Sequence, residues 1–123
     1  MSIEDANASY VVPVPLILNT TILTGLPGDD GDAVYSISRI NAEKARTVIA
    51  GGFTSAVGHA ASAAALTTIL GVDVPENRIA AVQEIGQRAV VLKMRGRIPE
   101  GKILSLDEMH EIGFDLFLLT RLT

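Results

Sequence analysis

The sequence contains no cysteine and no tryptophan, and aromatic residues make up only 4% of its 123 residues. Without cysteine, disulfides, thiol nucleophiles and thiolate metal ligands are excluded. With so few aromatic rings, we do not expect the protein to hold nucleic acid by stacking bases on an aromatic platform. A functional site must therefore be built from other side chains and from the backbone.

Long apolar runs and a basic leader are also missing. No stretch approaches the roughly 20 apolar residues that a membrane-spanning helix needs. Glu4 and Asp5 stand where a secretory leader would carry positive charge. We therefore expect a soluble, cytoplasmic protein without a membrane partner.

Length and composition indicate one globular domain over residues 1–123. Hydrophobic residues make up 48% and charged residues 20% of the chain, and a chain of this size buries a core without metal or disulfide support. Residues 1–10 are small and polar, so we expect a loose tail there.

The charges are segregated along the chain, whose net charge is −4. Residues 78–102 carry a net charge of +4 and the rest of the chain −8. The basic residues of this segment are Arg78, Arg88, Lys93, Arg95, Arg97 and Lys102. An acidic protein with one basic strip suits a small anion better than a long polyanion such as DNA. The alternative is a solvated basic face without a ligand.

Residue patterns predict strands interleaved with helices. Strands are predicted from Val14 or Leu16 to Asn19 and over 33–40, 79–85, 89–94 and 114–119, the last buried on both faces. The runs 79–85 and 89–94 flank Gly86-Gln87 as a hairpin would. Helices are predicted from the cap Asn41 to about Ala50, over 60–70 with Gly71 at its end, and from the capping box Ser105–Glu108 to about Ile112. This order predicts an α+β or mixed α/β domain, with a mixed central sheet flanked by helices.

Gly58 and His59 stand at the start of the predicted helix over 60–70. A helix N-terminus offers unpaired N–H groups and partial positive charge, so a phosphate can bind there. Histidine can give or take a proton near neutral pH. The alternative interpretation is structural: Gly58 relieves a tight entry into the helix, and His59 is a polar first-turn residue.

The run from Arg97 to Lys102 supplies the other groups that phosphodiester cleavage needs. Arg97 can bind a phosphate at two points, and Glu100 adds a carboxylate. The acids do not group with a histidine as a two-metal nuclease requires, so we expect no metal. Metal-free cleavage needs RNA, because the 2′-hydroxyl is the nucleophile, and it needs a general acid and cations. His59, Arg97 and Glu100 suit those roles.

These segments resemble the viral type III anti-CRISPR ring nucleases. The resemblance rests on Gly58-His59 with its helix, Asn77-Arg78, the run Leu18-Asn19-Thr20-Thr21-Ile22-Leu23 and the run from Arg97 to Glu108. It implies a homodimer that encloses cyclic tetra-adenylate and cuts it without metal or cofactor. The products would be linear adenylates with 2′,3′-cyclic phosphate ends, and type III CRISPR signalling would stop. The protein would then be either an anti-CRISPR of a virus or a means by which a host limits its own signal.

The resemblance also implies roles for individual residues. His59 matches the catalytic general acid, and Arg97 and Glu100 match its catalytic partners. Ligand-contacting positions fall on or near Asn19, Gly58, Arg78, Lys93 and Arg97. The sequence departs from the family pattern at Ile22, Ala60, Ala61 and Gly96.

Two other functions remain open at this point. A binding protein of the same shape would sequester a cyclic oligonucleotide without cutting it. A structural or regulatory protein would use the basic strip to contact a protein partner.

Overall fold

The computed structural model describes residues 13–20, 32–99 and 101–123. This part of the chain contains five strands and three helices. The strands are β1 (Leu16–Leu18), β2 (Tyr35–Ile40), β3 (Thr54–Ser55), β4 (Arg88–Met94) and β5 (Phe114–Arg121). The helices are α1 (Ala42–Ile49), α2 (Ala60–Leu70) and α3 (Leu106–Ile112).

The five strands form one mixed sheet in the order β2-β5-β4-β1-β3. Strand β1 pairs in parallel with both β3 and β4, and its Ile17 lies opposite Ser55 and Val90. Strand β5 runs antiparallel to both β2 and β4. The predicted α+β domain with a mixed sheet is confirmed. Because β1, β3 and β4 run in the same direction, their carboxyl ends lie at the same edge of the sheet.

The helix boundaries follow local capping signals. Asn41 caps α1, since its Oδ1 accepts a hydrogen bond from the Lys44 N–H at 2.8 Å. The α3 capping box between Ser105 and Glu108 is present in both directions. Helix α2 ends at Gly71, whose φ of 71° is left-handed and suits glycine. All three predicted helices are confirmed, and no helix among the described residues is long and apolar enough to cross a membrane.

All three helices contribute to the main core, which lies on one face of the sheet. The sheet supplies Ile17, Val90, Leu92 and Leu116, α1 supplies Val48 and Ile49, α2 supplies Leu66, Ile69 and Leu70, and α3 supplies Met109. The other face carries a smaller buried cluster of Leu16, Ala89, Val91 and Leu119. The expectation that β5 is buried on both faces is therefore only partly right. Within β5, only Leu116 and Leu119 are buried, and the other residues are half-buried.

The predicted hairpin between 79–85 and 89–94 is wrong. Strand β4 already pairs with β1 on one side and β5 on the other, so neither side is open to the preceding segment. Residues 79–85 instead form neither a strand nor a helix. Within them, the buried Gln83 donates hydrogen bonds from Nε2 to the carbonyl oxygens of Gln87 (2.9 Å) and Leu119 (3.0 Å). The apolar residues that imitated a strand, Ile79, Val82 and Ile85, are exposed.

Replacing Leu66 by alanine should lower the free energy of unfolding by about 2–5 kcal/mol, because Leu66 is fully buried against the sheet and its loss leaves a cavity. Urea unfolding followed by circular dichroism measures this change. The matched control is Ile103→Ala, which removes a side chain that is 77% exposed and should shift the free energy by no more than about 0.5 kcal/mol. Equal losses in the two variants would contradict the assignment of the core.

Candidate active site

The parallel strands deliver three predicted site segments to one edge of the sheet. Asn19 follows β1, Gly58 and His59 follow β3, and Arg97 follows β4. Ligands of open sheets that contain parallel strands typically bind outside the carboxyl ends of those strands. A cleft of about 1030 Å³ lies at this edge. Its lining includes Asn19, His59, Ser62, Leu92, Met94 and Arg97.

The connection from β3 into α2 places His59 at the mouth of this cleft. The Gly58 N–H donates to Asn19 Oδ1 at 3.5 Å, a long hydrogen bond that joins the ends of β1 and β3. His59 is the N-cap residue of α2 in an extended conformation, and its carbonyl oxygen accepts from the Ala63 N–H at 3.0 Å. Its side chain makes no capping hydrogen bond and is exposed. The imidazole is therefore available to a ligand beside the first-turn N–H groups of the helix.

Arg78 reaches Gly58 because residues 75–77, here called the strap, run beside the end of β3. Ser55 Oγ donates to the Pro75 carbonyl at 2.6 Å, Asn77 Nδ2 donates to the Ser55 carbonyl at 2.7 Å, and the Asn77 N–H donates to the Val57 carbonyl at 2.7 Å. A β-carbon built on Gly58 would lie 3.5 Å from Arg78 Nε. The arginine therefore packs directly over this glycine.

Arg78 and the strap form a second, smaller cleft of about 450 Å³ on His59. Among the described residues, its lining includes Gly58, His59, Glu76, Asn77 and Arg78. His59 thus borders both clefts, with Arg97 in the lining of the larger one and Arg78 in that of the smaller one. This arrangement brings a titratable imidazole, a helix N-terminus and two guanidinium groups to one surface.

Arg97 lies in residues 95–98, here called the arm. At the start of the arm, the Arg95 N–H donates to the Gly113 carbonyl at 2.9 Å. The Arg95 side chain donates to both carboxylate oxygens of Asp115, from Nε at 3.1 Å and from NH2 at 2.6 Å. The hydrogen bond from Arg95 is the main cause that lowers the pKa of Asp115. The arm is therefore fixed to the start of β5.

Gly96 of the arm is one of the positions at which the sequence departs from the ring-nuclease pattern that it resembles, and the packing explains the glycine. A β-carbon at this position would lie only 3.0 Å from Ile112 Cγ2 at the end of α3. A larger residue would require Ile112 to move, so glycine lets the arm pack closely on this helix.

Of the predicted site residues that the structure describes, Lys93 alone is absent from the linings of both clefts. Lys93 stands in β4 between Leu92 and Met94, which line the cleft. Because side chains alternate along a strand, Lys93 belongs to the opposite face, where it pairs in register with Asp115. Glu100 lies outside the described residues, so its catalytic role stays a prediction.

The structure adds two residues that the sequence analysis did not select. Ser62 lines the larger cleft, and Glu76 lines the smaller one. Ser62 follows His59 by three positions in the first turn of α2, a spacing that places residues on neighbouring parts of a helix surface. No local sequence signal pointed to Glu76, because its position depends on the long-range hydrogen bonds of the strap.

The described residues contain no group of three or more His, Asp or Glu side chains that could hold a metal ion. The linings of the two clefts include His59, Arg78 and Arg97. Such groups bind anions and transfer protons.

Comparison with known proteins finds relatives of this chain in viruses. The model of the STIV B116-like family matches residues 15–116. An uncharacterized protein, ORF117 of Acidianus two-tailed virus, is 38% identical over 109 residues, which covers 85% of this chain and 91% of that protein. Uncharacterized protein 26 of Sulfolobus islandicus filamentous virus is 32% identical over 109 residues, covering 87% of this chain and 91% of that protein.

A solved structure has the same fold. B116 of Sulfolobus turreted icosahedral virus superposes with a TM-score of 0.71 over 88% of this chain and 99% of that one, at 18% sequence identity. At this identity the likeness concerns the fold alone.

Removing the Asn77 side chain with Asn77→Ala should lower the free energy of unfolding by about 1–3 kcal/mol, because the Ser55 carbonyl loses the partner that ties the strap to β3. Urea unfolding tests this value. Ser36→Ala, on the exposed edge strand β2, serves as the control and should change stability by no more than about 0.5 kcal/mol. A strap that does not stabilise the fold would give the same small change in both variants.

Acid should weaken the pair between Arg95 and Asp115. The lowered pKa of Asp115 means that the pair stabilises the folded protein above the ordinary aspartate pKa of about 3.9 and is lost as pH falls through the native pKa. The difference in unfolding free energy between wild type and Asp115→Asn should therefore be constant near neutral pH and shrink below about pH 4. Urea unfolding across this range measures it, and a difference that grows on acidification would contradict the pairing.

Proposed function

The chain belongs to the STIV B116-like family of viral proteins, and from that membership, the site and the motif resemblance we propose that it is a metal-independent ring nuclease that opens cyclic tetra-adenylate. The observation that carries this proposal is the position of His59. It stands at the N-terminus of α2 between two clefts, each of which contains an arginine. A phosphodiester bound there meets a proton donor, a helix N-terminus and cations at once.

The proposed reaction is an internal transesterification. The 2′-oxygen of one adenylate bonds to the adjacent phosphorus, and the bond from that phosphorus to the 5′-oxygen breaks. Protonated His59 gives its proton to the leaving 5′-oxygen, while the proton of the 2′-hydroxyl passes to water. The products are a 2′,3′-cyclic phosphate and a free 5′-hydroxyl, so no water is consumed in the cleavage.

The cations of the site act on the charge that develops at phosphorus. Arg97 can bind two phosphate oxygens through its planar guanidinium group, and the first-turn N–H groups of α2 add fixed positive potential. Glu100, outside the described residues, remains the predicted carboxylate of the site.

Other residues of the edge would hold the ring. Asn19 joins the ends of β1 and β3 through Gly58, and glycine at this point lets a ligand approach the backbone closely. Arg78 would bind a second phosphate from the smaller cleft. Lys93 lies on the other face of the sheet. Its predicted contact with the ligand stays a prediction, and the larger cleft does not support it.

We also propose that the active form is a homodimer. The ligand ring repeats one unit four times, so it is compatible with the two-fold axis of a dimer. The sheet face opposite the three described helices offers apolar area for a second copy. Ile37 on this face is 52% exposed, and the neighbouring Phe117 is half-buried. Exposed apolar area of this kind is typical of interaction surfaces.

Cleavage of the messenger would prevent it from activating the effector nucleases of type III CRISPR defence. Because the relatives are viral proteins, an anti-CRISPR role is favoured over self-limitation by a host. A protein that only sequesters the ring is the competing function, and it would need no general acid.

The test is to incubate cyclic tetra-adenylate with wild type, His59→Ala and His110→Ala in excess EDTA and to resolve the products by chromatography and mass spectrometry. Wild type should yield linear adenylates with cyclic phosphate ends. His59→Ala should cleave about 100-fold or more slowly, because the general acid is gone, while calorimetry should show retained binding. His110→Ala is the matched histidine control. It changes an exposed α3 residue in ring contact with Phe114 and should cleave like wild type.

Each other outcome excludes part of the proposal. Tight binding without cleavage by wild type would identify a sequestering protein. Unchanged cleavage by His59→Ala would remove this residue from the mechanism, and the absence of binding would overturn the proposed ligand.

A further inference from the structure

We propose that Asp115 is a positioning residue that acts through Arg95 to hold the arm, so that Arg97 faces the larger cleft. The inference rests on the proposed function, because it assigns Arg97 a task in that site. Asp115 itself lines neither of the two clefts on His59.

The contact between Asp115 and Arg95 restrains the arginine in a defined orientation. Arg95 donates from Nε to Oδ2 at 3.1 Å and from NH2 to Oδ1 at 2.6 Å. The Asp115 side chain is only 12% exposed, whereas that of Arg95 is 59% exposed. A two-point contact to a carboxylate set into the sheet fixes both the position and the plane of the guanidinium group.

The backbone around this contact is adapted to it. The Arg95 N–H donates to the Gly113 carbonyl at 2.9 Å. Gly113 has a φ of 87°, and a β-carbon there would lie 3.1 Å from Arg95 Cδ. Glycine at this position therefore provides both the left-handed backbone and the space for the arginine stem.

Arg97 lies between two anchored parts of the arm. On one side, Arg95 is bound to Asp115 and Gly96 packs on Ile112. On the other side, Ile98 packs against the main core. Because Arg97 itself is exposed, its position depends on these neighbours rather than on its own burial.

Asp115 also has other cations around it. Arg39 Nε lies 3.6 Å from Oδ1, and its guanidinium carbon is 5.8 Å from the centre of the Phe117 ring. Lys93 acts on the same carboxylate through its charge. Removing the negative charge would leave these cations without a counter-charge. Arg95 would then lose its restraint and be repelled by the neighbouring cations.

A merely structural role predicts a different result. A loss of stability that leaves the variant folded at the assay temperature does not displace Arg97, whereas a displacement of about 1 Å in a catalytic group can cost roughly 100-fold in rate. A positioning role therefore predicts a large effect on cleavage that requires Arg97. A structural role predicts a small effect that does not depend on Arg97.

The test is a double-mutant cycle on cleavage of cyclic tetra-adenylate, with Asp115→Asn introduced into wild type and into Arg97→Ala. We expect Asp115→Asn to lower kcat/KM about tenfold in the wild-type background and to have no further effect when Arg97 is absent. Lys44→Ala is the control, since it removes an exposed cation of α1 that lines neither cleft on His59. It should cleave like wild type.

Equal fold-losses from Asp115→Asn in both backgrounds, or no loss in wild type, would overturn the inference. Circular dichroism confirms that each variant is folded at the assay temperature. If Asp115→Asn does not fold, Arg95→Ala replaces it in the cycle and leaves Asp115 with Arg39.

If wild type neither binds nor cleaves the ring, the proposed function has failed. Amide hydrogen exchange of residues 95–98 then tests the restraint alone: faster exchange in Asp115→Asn supports it, and unchanged exchange overturns it.

Discussion

The parallel pairing of β1 with both β3 and β4 is the constraint on which the site depends. It places the carboxyl ends of three strands at one edge of the sheet, so residues far apart in sequence meet there. Asn19, His59 and Arg97 each follow one of these strands. An antiparallel β1 would send its polar end to the opposite edge. The parallel direction of these two short ladders therefore assembles the larger cleft.

The main core turns this topology into a defined geometry. Helix α2 packs its buried leucine and isoleucine side chains on the face formed by β1 and β4, which orients the helix so that its N-terminus meets the edge. Arg46 donates to the Ile69 carbonyl at 3.2 Å near the other end of the helix. The same apolar contacts that stabilise the fold thus point the N–H groups beside His59 toward the cleft. The strap and the arm then add Arg78 and Arg97 from either side.

Local interactions could be predicted from the sequence, and long-range ones could not. Asn41, Gly71 and the Ser105 capping box marked helix ends correctly, because each signal acts within a few residues. The position of His59 at a helix N-terminus followed from the same kind of signal. The false hairpin arose because the spacing around Gly86 carries no information about β1 and β5, which occupy both sides of β4. Arg78 meets Gly58 only through the strap, whose hydrogen bonds span about 20 residues.

The most direct test of the site is a crystal structure of the His59→Ala variant with cyclic tetra-adenylate bound. A phosphate of the ring should lie beside the first turn of α2, within hydrogen-bonding distance of the Arg97 guanidinium group, and the vacated position of the imidazole should face a 5′-oxygen. A ring bound elsewhere, with neither Arg97 nor Arg78 in contact with it, would contradict the claim that the three parallel strands build the catalytic centre.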